Sequence, residues 1–232
     1  MLPGEDMGSV RAQIRKRTYY VVVFSFSFTT SKLFFRNPYP GKLFNKPNGE
    51  DVYKGVKIDY SGRSVTPQNF LNVLKGNASG IVGGNGRVLQ SLYNFWLAVV
   101  FPYCSKPNDR IFIFYSDHGG VGTLAFPIGT LTVKMLSEAM NWMYENKRYG
   151  QLVFYLEACY SGSMFDVTLS SSINAYAITA AHRNESSWAT YCNTGKLPCL
   201  GDEFSVNWME DSDVVRGSFI SAYCTLQEIH KY

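Results

Sequence analysis

Apolar positions in this chain gather into short blocks, and their spacing sorts them into two kinds of element. Residues 110–117 (RIFIFYSD), 151–158 (QLVFYLEA) and 174–181 (NAYAITAA) are nearly continuous apolar runs, the pattern of strands buried on both faces. Residues 204–209 are read as a fourth strand. Helical patterns lie between them. Thr66 can cap a helix whose first turn accepts Pro67, and Phe70, Leu71 and Leu74 give it an apolar face. Thr132 caps a second, in which Leu136, Ala139, Met140 and Met143 recur at helical spacing. Strands alternating with helices predict an α/β fold: βαβ units in a mostly parallel central sheet with helices on both faces. Residues 36–63, rich in Gly, Pro, Asn and Lys, read as a long structured loop, and Gly83-Gly84-Asn85-Gly86 as a turn. Residues 19–28 form an apolar-aromatic run after Arg15-Lys16-Arg17. That run reads either as a buried strand or as the short apolar region of a signal peptide.

Composition narrows the classes. The 232 residues carry a net charge of +4 and 46% hydrophobic side chains, enough for a sizeable core in one domain. Arg11, Arg15, Lys16 and Arg17 cluster, but no basic stripe follows them, so a nucleic-acid partner is not expected. No apolar run reaches transmembrane length. Five cysteines are present, an odd number, so one thiol stays unpaired if the others pair. Cys192 and Cys199 flank a turn-forming stretch. They read as a loop disulfide of an oxidising compartment or as two reduced thiols, since spacing alone does not set the Cα separation a bridge needs. Asn77-Ala78-Ser79 and Asn184-Glu185-Ser186 are N-glycosylation sequons.

The candidate chemistry sits where two strand runs end. Ser116-Asp117-His118-Gly119-Gly120 closes the first and Glu157-Ala158-Cys159-Tyr160-Ser161-Gly162-Ser163 the second. Parallel sheets bind ligands beyond the carboxyl ends of their strands. If the two strands are parallel neighbours, His118 and Cys159 emerge at one edge. Their separation of 41 positions (159 − 118) leaves room for one crossover helix. A free thiol has a pKa of about 8.5 and forms little thiolate at mildly acid pH. An imidazole beside it can take its proton during attack and return one to the leaving amine. Gly119 lets a substrate approach the backbone, and its N–H can join that of Cys159 around an oxyanion. Either residue alone reads as a polar strand cap or an inert small side chain; the pairing points to catalysis. No metal and no organic cofactor is expected.

These motifs resemble the caspase-like clan of cysteine proteases, and the legumain family within it. DHGG and EACYSGSM carry the resemblance, with NPYPGKLFNKPNGEDVYKGVKIDYSG, VTPQNFLNVLKGN, NAYAITAAHRNESSWATYC and CLGDEFSVNWMEDSD. The similarity covers roughly two thirds of the chain, over residues 37–213 with one interruption. A caspase-type QAC motif is absent. The resemblance implies a caspase-like fold, a Cys159–His118 dyad with Gly119, and cleavage after Asn, less readily after Asp. It also implies a pocket for the Asn carboxamide built from Glu157, Ser186 and Asp202. The need is physical: a buried amide left without partners costs about 1–3 kcal/mol. Protein substrates, cystatin-type inhibitors, a lysosomal, vacuolar or secreted location, and a Cys192–Cys199 disulfide are further implications.

The chain departs from that pattern in three places. The family's opening strand and its YNYRHQAD-like segment, source of the pocket's Arg and of an Asn that orients the His, find no match in the leader, residues 1–35. Residues 92–105 and 215–224 interrupt the pattern, which resumes after each. They are read as foreign insertions from retained intron or gene-model error. Hydrolysis, transpeptidation by an attacking amine as in the more distant GPI-anchor transamidase, and an inactive homologue that serves only to bind are the three readings the sequence leaves open.

Overall fold

The computed structural model describes residues 9–10, 19–25, 42–89, 108–192 and 199–214. The two interrupting stretches, 92–105 and 215–224, lie outside them, as does most of the leader. The chain divides into two compact units, Gly55–Ser186 with the preceding strands, and Phe34–Lys54 with Ser187–Tyr232.

The first unit is built on a five-stranded sheet. Its strands are β1 (Ser9–Val10), β2 (Tyr19–Ser25), β3 (Arg110–Ser116), β7 (Gln151–Glu157) and β8 (Ala175–Thr179), in the order β1-β2-β3-β7-β8. β1 runs antiparallel to β2, and the other neighbours are parallel. The three expected strand runs are therefore present, the first two ending one residue early and the third shortened at both ends. The run at 19–28 supplies a strand as well: β2 pairs with β3 from Tyr19↔Arg110 to Ser25↔Ser116.

Between β3 and β7 the chain makes a small antiparallel meander, β4 (Gly119–Gly120), β5 (Thr123–Ala125) and β6 (Thr130–Thr132), then the helix α2 (Val133–Glu145). Both expected helices form. In α1 (Pro67–Lys75) the Thr66 side chain accepts from the Asn69 N–H, Pro67 opens the helix, and Gly76 closes it with φ 70°, a left-handed conformation that favours glycine. Thr132 caps α2 through the Met135 N–H. Such caps satisfy donors that the first turn of a helix leaves without partners.

Phe70 and Leu74 of α1 and Leu136, Ala139, Met140 and Met143 of α2 pack against Ile111, Ile113, Tyr115, Leu152, Phe154 and Leu156 of the sheet. Alternation along β3 and β7 sends these to one face and Phe112, Phe114 and Tyr155, also buried, to the other. Burying each large apolar side chain contributes about 1.5–3 kcal/mol.

In the second unit, β9 (Ala189–Thr190) pairs antiparallel with β10 (Gly201–Asp202), and Glu203–Val214 is a helix, α3. Residues 204–209 are therefore not a strand. Phe204, Val206 and Trp208 alternate as strand residues do, but Asp202 accepts from the Ser205 N–H at 2.5 Å and so caps a helix. A six-residue run cannot be told apart by periodicity alone. Residues 42–61 form turns and extended loop without a helix or a multi-residue strand, as expected. Among the described residues no helix is long and apolar enough to cross a membrane.

Candidate active site

Strand register fixes the frame of the site. Ser116 ends β3, Glu157 ends β7, and the two are in-register partners. His118 lies two residues beyond the first and Cys159 two beyond the second, so both follow the carboxyl ends of adjacent parallel strands. The frame is reinforced locally. Ser116 Oγ donates to Glu157 Oε2 at 3.0 Å, and the Asp117 N–H donates to the Glu157 carbonyl at 3.2 Å. Glu157 is buried, 7% exposed; Cys159 is half-buried and His118 exposed.

The chain must turn sharply after Cys159. Tyr160 does this in the left-handed region, φ 58°, an unusual state for a bulky residue. Its surroundings hold it there. The Tyr160 N–H donates to the Glu185 carbonyl at 2.7 Å. Ser161, fully buried, accepts from the Ala181 N–H at 3.0 Å and donates to the Ala181 carbonyl at 3.2 Å. The Gly162 N–H reaches the same carbonyl at 2.9 Å. A Cβ at Gly162 would come within 2.9 Å of the Arg183 nitrogen, so this packing requires glycine.

Ser163 links the two motifs. Its Oγ accepts from the Gly122 N–H at 2.8 Å and donates to the Tyr160 carbonyl at 2.6 Å. The hairpin that begins at His118 is thereby tied to the turn that follows Cys159. The His118 carbonyl accepts from the Ala125 N–H at 2.9 Å. Gly119 lies so close that an added Cβ would run into the Cys159 carbonyl oxygen and come within 2.9 Å of Ala158 Cβ. The two glycine-flanked motifs can meet this closely only because that side chain is missing.

Two acidic groups and a phenol sit at this edge. Burial pushes the Asp117 carboxyl up from 3.8 to about 6, offset in part by the His118 N–H it accepts from. Burial, with the Asp117 and Glu157 carboxylates, also raises the Tyr115 phenol, whose hydroxyl donates to the Ala125 carbonyl. Tyr115 is thus neutral across the working pH range.

The sequence-derived residues separate as follows. His118, Gly119, Glu157 and Cys159 meet at one sheet edge. Ser186 is exposed in the same unit, one residue after Glu185, whose carbonyl holds Tyr160. Asp202 belongs to the second unit, where it caps α3 and where burial raises its carboxyl. Ser116, Ser161 and Ser163 do work that is visible only in hydrogen bonds, and their places inside the two motifs were the one signal for them in the sequence. Cys192 and Cys199 are disulfide-bonded, which resolves the two readings of that pair. Cys159 is not part of it. Among the described residues no group of three or more His, Cys, Asp or Glu side chains is arranged to hold a metal.

Fold and site together define an α/β protein with a thiol and an imidazole following adjacent strand ends of a parallel sheet. The peptidase C13 family matches residues 28–228. Over 186 residues the chain is 47% identical to the vacuolar-processing enzyme delta-isozyme of Arabidopsis thaliana, covering 77% of this chain and 37% of that protein. Over 179 residues it is 50% identical to legumain of Homo sapiens, covering 77% of this chain and 38% of that protein. The vacuolar-processing enzyme of Vicia sativa is 45% identical over 186 residues. The chain belongs to the peptidase C13 family. It spans a little over a third of the length of these curated relatives, 35–38%.

Proposed function

We propose that this chain carries the catalytic part of a cysteine endopeptidase that hydrolyses peptide bonds after asparagine, and less readily after aspartate. The observation that carries the reading is the Ser116↔Glu157 register, which brings His118 and Cys159 out at one edge. Cys159 is the nucleophile. His118 takes the thiol proton as sulfur attacks the scissile carbonyl, then gives a proton to the departing amine. Water, with its proton taken by His118, releases the acid from the acyl-enzyme. The N–H groups of Gly119 and Cys159 bind the oxyanion. Glu157 accepts from the carboxamide NH2 of the substrate and Ser186 lines the pocket, because a buried amide needs its partners.

The partners are protein substrates with asparagine at the cleaved bond, and cystatin-type inhibitors. The compartment is a lysosome, vacuole or the secretory route. The Cys192–Cys199 disulfide supports an oxidising environment, and the relatives named for vacuolar processing support the vacuole. The test is turnover of a fluorogenic peptide ending in asparagine at mildly acid pH. Turnover that disappears in Cys159→Ala is the expected result. A folded wild-type sample without turnover overturns the reading.

A further inference from the structure

The Glu157 carboxylate is buried and ends a strand, and the direction it faces is not set by its backbone. The last torsion of a glutamate side chain is broad and roughly two-fold, so packing alone aims its oxygens poorly. In this fold a hydroxyl donates to one of those oxygens. Ser116 is the in-register partner of Glu157 on β3. Alternation puts both on the sheet face opposite Tyr115 and Leu156. Their side chains meet through the 3.0 Å bond from Ser116 Oγ to Glu157 Oε2. A hydroxyl has one proton to give, and here it goes to the carboxylate.

We propose that Ser116 is a positioning residue for asparagine recognition: its hydroxyl fixes the Glu157 carboxylate in the orientation that accepts from the substrate carboxamide. This rests on the pocket role proposed for Glu157 above. Ser116 touches no substrate in this scheme. It acts at the ground state and the transition state alike, so its loss raises KM and leaves kcat largely intact. An aspartate side chain has no NH2 to donate, so it gains little from the aimed carboxylate. The preference for asparagine over aspartate therefore narrows when the hydroxyl is removed.

The experiment compares wild type with Ser116→Ala, Ser116→Val and Ser116→Thr on paired peptides ending in Asn and Asp. Thr keeps the hydroxyl, and Val has the shape of Thr without it. Thermal melts establish which variants are folded; if Ala is not, the Thr and Val pair decides. The expected result is a KM for the Asn peptide raised about 5–20-fold in Ala and Val, the size of a lost charge-assisted bond. Their kcat changes by no more than about twofold, their Asn-over-Asp ratio falls, and Thr behaves as wild type. Unchanged KM and selectivity in both Ala and Val, or a loss confined to kcat, overturns the inference. A wild type that turns over the Asn peptide while the variants match it removes only the role of Ser116. A wild type without turnover removes the role of Glu157 as well.

Discussion

At the scale of single residues, the site depends on groups too small to attract notice in a sequence. Ser161 and Ser163 spend their hydroxyls holding loops to the turn after Cys159, and Gly119 contributes by having no Cβ. Asp117 is the residue whose titration the fold alters most usefully for a test. Its carboxyl loses a proton near 3.8 in the unfolded chain and near 6 in the native one. Between those values the native state holds more protons than the unfolded state, so stability falls as pH rises through that window and is level above it. Asp202 is raised by burial too and adds a slope of the same sign. Asp117→Asn keeps an acceptor for the His118 N–H and removes one titration. The expected outcome is a smaller drop in Tm between pH 4 and pH 6.5 in the variant than in wild type, read by calorimetry. Equal slopes would mean that Asp117 titrates alike in both states.

At the scale of elements, local chemistry and apolar runs were sufficient for most of the frame. The caps at Thr66 and Thr132, the runs that became β3, β7 and β8, and the single helix of the β3–β7 crossover could all be read from residue order, because each depends on near neighbours. The segment that became α3 could not. Its alternating apolar positions mimic a strand, and the decisive cap comes from Asp202, one residue before the helix. The pairing of β2 was beyond local reading as well, since a partner strand is chosen by the whole sheet. β2 lies before residue 28, where the family match begins, yet it covers the edge of the strand that leads to His118. An open edge there would invite pairing with other chains. Consecutive residues of a strand point their N–H groups to opposite sides, so one of Val21→Pro and Val22→Pro deletes a bond to β3. That variant is expected to melt roughly 5 °C or more below wild type and to aggregate more readily, as light scattering would record. Two variants that both melt like wild type would contradict the pairing.

At the scale of the whole molecule, the candidate site divides by how each part could be known. The thiol and imidazole were legible because two strand-end motifs of fixed chemistry lie one crossover apart. Glu157, Ser186 and Asp202 were legible only through family resemblance. An acid at a strand end or after a glycine has bland readings that no spacing rule removes. The structure adds an environment for each: burial and a hydroxyl partner for Glu157, a loop that grips Tyr160 beside Ser186, and a helix cap for Asp202 in the second unit. The relatives are nearly three times as long as the matched segment, so activity is a property to be measured on this chain itself.

The most direct measurement is covalent labelling of the full chain with a peptide ending in asparagine chloromethyl ketone, mapped by mass spectrometry. A thiolate displaces chloride and keeps the peptide as a thioether. One adduct is expected, on Cys159, formed about 100-fold more slowly in His118→Ala. An adduct spread over several cysteines, or formed on Cys159 at the same rate without His118, would contradict a Cys159–His118 pair that reads asparagine.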